Sequence, residues 1–101
     1  MRIEVTAKHV DLTDAIRQYA ENKCAKLPRF YDGVQEIQVL IVRPQKHAEF
    51  DVEIRADVEK HDDFFAKESG QDIYGCIDLA VDKLARQLAD FKERLKNSKR
   101  A

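Results

Sequence analysis

Metal ligation or nucleophilic attack in this 101-residue chain would have to come from three histidines and two cysteines. Their spacing serves neither chemistry. His9, His47 and His61 show no metal-ligand spacing with Cys24 or Cys76, and read as solvated loop or edge residues. The cysteines form no CxxC pair and have no basic partner nearby in sequence. Both fall at apolar or small-residue positions of expected helices, as small core residues of a reduced chain do, with a disulfide as the alternative. His61-Asp62-Asp63 could hold a metal ion weakly, but an acidic turn accounts for it as well. With three glycines there is no phosphate-cradling loop. Tyr74 reads as a packing residue with its hydroxyl at the surface. No enzyme, metal or cofactor is expected.

Charge is the stronger signal. The net charge is −1, yet from Lys83 onward seven Lys/Arg face two Asp/Glu, a local excess of +5. Residues 1–82 carry eleven Lys/Arg and seventeen Asp/Glu, which is −6. An anionic partner for the C-terminal part would explain the asymmetry, and so would a solvated tail. Lys83, Gln87, Asp90 and Arg94, at steps of four, three and four, line one flank of a helix, with Arg86 beside Lys83.

That helix is legible from its apolar stripe: Ile73, Ile77, Ala80, Leu84, Leu88, Phe91 and Leu95 recur every three or four residues. Asp72 to Leu95 is thus buried on one side and cationic beside it over its second half. The remaining elements form its scaffold. Ile3, Val5 and Ala7 alternate in a first strand. Thr13 is an N-cap with Asp14 in the first turn, opening a helix that buries Ile16, Tyr19, Ala20, Cys24 and Leu27. Arg17, Lys23 and Lys26 stay available to solvent, and Pro28 marks the helix end. Residues 29–33 form a loop in which Gly33 suits a positive φ.

Ile37, Val39 and Ile41 alternate in a second strand, and residues 43–46 turn the chain. From His47 to Val58 the third strand sets Ala48, Phe50, Val52, Ile54, Ala56 and Val58 on one face. His47, Glu49, Asp51, Glu53, Arg55 and Asp57 take the other, wet face. A short strand over 63–67 follows, with Phe64 and Ala66 on one face and Phe65 on the other. Residues 69–72 then break the pattern and cap the long helix. A helical crossover lets the first two strands pair in parallel, and short links make the others antiparallel. The expected fold is α+β: a βαβββα two-layer sandwich, a four-stranded mixed sheet with both helices on one face. No apolar run approaches a membrane span and no signal peptide opens the chain, so a cytoplasmic protein is expected.

Two binding readings follow. Lys83, Arg86 and Arg94, with Lys23 and Lys26, could form a basic ridge gripping a structured nucleic acid through its phosphates. Alternatively, the wet strand or the helical layer meets another protein. The wet face itself suits RNA poorly, since Glu49, Asp51 and Glu53 repel phosphate.

Lys8-His9, Asp11-Leu12-Thr13, Arg17-Gln18-Tyr19, Lys23 and Lys26-Leu27 are joined by a more specific block. It comprises Asp72-Ile73-Tyr74, Ile77-Asp78, Asp82-Lys83-Leu84 and Arg86-Gln87-Leu88. Together they resemble the ribosome hibernation promoting factors, the bacterial family that includes protein Y, the ribosome-associated inhibitor. The similarity covers nearly the whole chain. It implies the same βαβββα order, a fold resembling a double-stranded-RNA-binding domain. The lysine-rich helix start of that domain is absent, with Asp72, Asp78 and Asp82 in its place.

The implied function is a stress-associated translation inhibitor bound to 16S rRNA of the 30S subunit, in the channel between head and body. There it would overlap the mRNA path and the A and P sites for tRNA. Carried over, the rRNA contacts are Lys8, Lys23, Lys26, Arg29, Lys83, Arg86, Gln87 and Lys92. The implied partners are the small ribosomal subunit, with ribosomal proteins beside the 16S rRNA, and 70S or dimeric ribosomes. The free chain is expected to be a monomer. Residues 1–96 would be one ribosome-binding domain of a short form, with 97–101 a frayed tail. Asp90 departs from the family pattern, standing where relatives carry Lys or Arg.

Overall fold

Alternating apolar residues form a sheet only if one face can be covered, and the computed structural model shows how these are. It describes residues 1–44 and 49–100, the last two by backbone alone. Strand β1 (Arg2–Lys8) leads into helix α1 (Asp14–Cys24), a 3-10 turn at Leu27–Arg29, and strands β2 (Val34–Val42), β3 (Phe50–Val58) and β4 (Phe64–Gly70). Helix α2 (Ile73–Arg100) is the last of the described elements. The sheet order is β1-β2-β3-β4, with β1 parallel to β2 and the other neighbours antiparallel, as the crossover argument requires.

Register explains the core. Ile3, Ile37, Ala56 and Phe64 lie in one row across the sheet, and Val5, Val39, Ile54 and Ala66 in the next. Both rows point to the helices, whose Ala20, Cys24, Ile77, Ala80, Leu84 and Leu88 are buried against them. Helix α2 packs over β3 and β4, and α1 covers β1 and lies against α2. Thr13 caps α1 as expected, its Oγ1 accepting from the Ile16 N–H at 3.2 Å. Asp72 serves α2 likewise, its Oδ1 accepting from the Tyr74 N–H at 3.1 Å. At about 1.5 Å per residue the 28-residue α2 is about 42 Å long, against about 30 Å for a nine-residue strand. Its C-terminal turns therefore overhang the sheet.

Four local expectations are corrected. Helix α1 ends at Cys24, before Pro28, because a tighter turn takes over at Leu27–Arg29 to bury Leu27. Gly33 has no positive φ. What it supplies is room, since a Cβ there would collide with Cζ of the buried Tyr31 ring. The left-handed positions among the described residues are His9 (φ 62°) and Lys60 (φ 64°), where the chain leaves β1 and turns between β3 and β4. Ser69 and Gly70 do not break β4 but extend it, paired with Asp51 and Phe50. The regular strand β3 begins at Phe50; His47 and Ala48, assigned to it from sequence, lie outside the described residues.

Candidate nucleic-acid interface

The flank of α2 above β4 carries Lys83 and Gln87. Their side chains turn down onto the sheet. Lys83 Nζ pairs with Glu68 at 2.5 Å and donates to the Lys67 carbonyl at 3.4 Å. Gln87 Nε2 donates to the Phe65 carbonyl at 3.0 Å. Strand β4 is a sheet edge, so carbonyls on its open side would otherwise template a further strand. One helical turn apart, the two side chains cover alternate carbonyls of that edge. Gln87→Ala should therefore lower stability by about 0.5–1.5 kcal/mol, the net worth of one hydrogen bond. The urea midpoint measures this, and an unchanged midpoint would mean that water satisfies the edge instead.

The opposite flank faces α1. Tyr19 donates its hydroxyl to Asp78 Oδ1 at 2.6 Å, and Lys23 Nζ reaches the same oxygen at 3.4 Å while lying 5.5 Å above the Tyr19 ring. Tyr74 sets its ring edge-on to Tyr19 at 4.8 Å. The bond to Asp78 raises the pKa of both Tyr19 and Lys23 above their ordinary values. Lys23 is thus not the solvated cation expected from sequence, because α1 and α2 lie with Asp78 opposite it.

The remaining cations of this layer face outward. Lys26 and Arg29 at the 3-10 turn after α1, and Arg86 and Lys92 on α2, are exposed and form no ion pair among the described residues. Lys92 lies fourteen residues beyond Asp78, two heptads along the flank that α1 covers, and directly after Phe91, whose ring meets Tyr31 at 5.2 Å. Asp90 is exposed, and among the described residues it pairs with neither Arg86 nor Arg94. Lys8 stands apart from all of these. It alternates with the inward Ala7 and so projects from the other face of the sheet.

That outer face is a poor seat for phosphate. A shallow depression of about 330 Å³ there is lined by Glu36, Gln38, Arg55, Asp57 and Asp63, and Arg55 is already paired with Asp63 at 3.9 Å. The eight residues singled out from sequence thus fall into three groups. Lys26, Arg29, Arg86 and Lys92 face solvent from the helical layer. Lys23, Lys83 and Gln87 are bonded within it. Lys8 lies behind the sheet. Sequence reasoning did not foresee Glu68 and Asp78 as the partners that take up two of the cations, and it passed over exposed Phe30, whose one signal was an aromatic beside Arg29 after a proline-marked turn.

The reactive residues are occupied by packing. Cys24 is buried, which pushes its thiol up to about 12, and burial together with Asp72 and Glu68 raises Cys76. Neither is poised to form a thiolate. The His61 ring lies flat on Phe64 at 4.5 Å and against Phe91 at 4.6 Å, with Nδ1 2.6 Å from the Asp62 carbonyl. No group of His, Cys, Asp and Glu side chains among the described residues could hold a metal ion.

Comparison with known proteins places this architecture. The family model described as "Sigma 54 modulation protein / S30EA ribosomal protein" matches residues 3–96. The chain belongs to that family. Within the S30EA family it is 33% identical over 100 residues to the ribosome hibernation promoting factor of Escherichia coli (strain K12), covering 95% of this chain and 98% of that protein. It is 30% identical over 94 residues to the factor of the same name from Azotobacter vinelandii, covering 93% and 85% of the two chains. Among solved structures, the Thermus thermophilus Protein Y N-terminal domain superposes with a TM-score of 0.79 at 34% identity, over 90% of this chain and 99% of that one. A ribosomal subunit interface protein from Coxiella burnetii, 24% identical, shares the fold with a TM-score of 0.82 over 92% and 99% of the two chains. The S30EA fold is thus the βαβββα sandwich read from the sequence. No helix of the described residues is long and apolar enough to cross a membrane.

Proposed function

We propose that this chain binds the 30S subunit through 16S rRNA in the channel between head and body. There it overlaps the mRNA path and the A and P sites for tRNA, and keeps idle ribosomes inactive. It acts by occupying the channel rather than by catalysis. The observation that carries the reading is the set of outward cations on the helical layer, Lys26, Arg29, Arg86 and Lys92, in a chain whose relatives are named hibernation factors. These four contact phosphates, which position a protein on RNA without reading sequence. Lys23, Lys83 and Gln87 support that surface from beneath through their bonds to Asp78, Glu68 and the β4 edge. Lys8 touches the subunit from the outer sheet face, since a domain seated in a channel is met on more than one side.

Sedimentation with separated subunits tests this. The protein should migrate with 30S particles at low salt and remain at the top of the gradient with 50S particles. Migration with neither subunit, or with 50S alone, would overturn the proposal.

A further inference from the structure

Phe30, Phe65 and Tyr74 are the exposed aromatic rings among the large apolar side chains. Two are accounted for: Tyr74 packs on Tyr19, and Phe65 is met by the Arg55 guanidinium at 6.0 Å on the outer sheet face. Phe30 is 39% exposed and has no aromatic or cationic partner among the described residues.

Its exposure is built in. Leu27 before it is fully buried, and Tyr31 after it is buried against Phe91 and donates its hydroxyl to the Glu59 carbonyl at 3.4 Å. Between these anchors the Arg29 N–H donates to the Lys26 carbonyl at 3.1 Å, and the Phe30 N–H to the Leu27 carbonyl at 3.0 Å. The backbone is therefore fixed, and it keeps the part-exposed ring in the same short turn as the exposed cations Lys26 and Arg29. An aromatic with more than a third of its surface open and no aromatic or cationic partner, in a turn that also carries two cations, has the composition of a nucleobase platform. Any base can stack on its face, and the cations hold the phosphates on either side.

We propose that Phe30 is a base-stacking residue of the RNA interface. It receives one unstacked base of single-stranded rRNA while Lys26 and Arg29 bind the adjoining phosphates. The inference rests on the RNA-binding reading above and adds to it a contact that is not electrostatic. An apolar protein side chain could also use the ring, but the flanking cations favour RNA.

The test is the affinity of the full chain for 30S subunits over a salt series, for the parent, Phe30→Ala, Phe30→Leu, Phe30→Tyr and Arg29→Ala. Phe30→Ala should weaken binding about five- to 150-fold with the slope of log affinity against log salt unchanged. Phe30→Tyr should bind like the parent. Phe30→Leu keeps the apolar bulk but loses the π-face, so it should bind like the alanine variant. Arg29→Ala should instead make the slope shallower by about 0.7. Thermal midpoints equal to the parent's establish that the Phe30 variants are folded. Parent-like binding by Phe30→Ala, or by Phe30→Leu, would overturn the inference while leaving the function standing. A parent chain that does not bind 30S subunits would overturn both.

Discussion

Changing Lys26, Arg29, Arg86 and Lys92 together to Glu should abolish co-sedimentation with 30S subunits while leaving the circular dichroism spectrum and urea midpoint at the parent's values. The fold should not notice, because all four side chains are exposed and none belongs to an ion pair among the described residues. The RNA should notice strongly. Each lost phosphate contact makes the salt dependence shallower by about 0.7 to 0.9, so four flatten it by roughly three units. Reversal adds repulsion to that loss. Lys83 is left out deliberately, since reversing it would set two carboxylates together at Glu68 and confuse stability with binding. The matched control changes Glu36, Glu53 and Asp57 to Lys on the outer sheet face, which should leave 30S binding in place. A helical-layer variant that still binds would refute the assignment. Loss of binding by the control alone would give the interface to the opposite face.

How legible this was in the sequence varies with the physics involved. The element order and strand pairing were, because both follow from local periodicity and short connections. Alternation through Ile37, Val39 and Ile41 and the stripe from Ile73 to Leu95 each admit one buried face, and the register rows show those faces joined. Which cations remain outward was not legible, because that depends on partners distant in sequence. Asp78 claims Lys23 from 55 residues away, and Glu68 claims Lys83 across the connection between β4 and α2. A helical wheel puts Lys83 and Arg86 side by side as if equivalent. The strand beneath α2 makes one a clasp, paired with Glu68, and leaves the other without an ion pair among the described residues. Gly33 failed for a different reason: glycine is used for left-handed turns and for close approach alike, and spacing alone does not show that the ring of Tyr31, two residues earlier, folds back over it. Lys8 was read from resemblance alone, and its strand carries it behind the sheet.

The largest effect on stability should come from Leu84→Ala. Leu84 is fully buried at the middle of the apolar stripe of α2, which packs over β3 and β4, whose inward Val52, Ile54 and Ala66 are themselves buried. Truncating it removes apolar contact and leaves a cavity that strand residues fixed by register cannot close, for a cost of about 2–5 kcal/mol. That is a large share of the roughly 5–15 kcal/mol available to an ordinary domain. At about 4–8 °C per kcal/mol the melting temperature should fall by at least about 8 °C. Leu79 provides the control within the same helix, being 54% exposed. Leu79→Ala makes the same chemical change with little burial to lose, and alanine is the better helix former. Its denaturation midpoint should match the parent's or exceed it slightly. The pair separates packing from propensity. Equal losses at both positions would mean that the helix itself, rather than its buried face, sets the stability. A larger loss at Leu79 would mean that α2 is rotated from the orientation in which Lys83 and Gln87 reach the β4 edge.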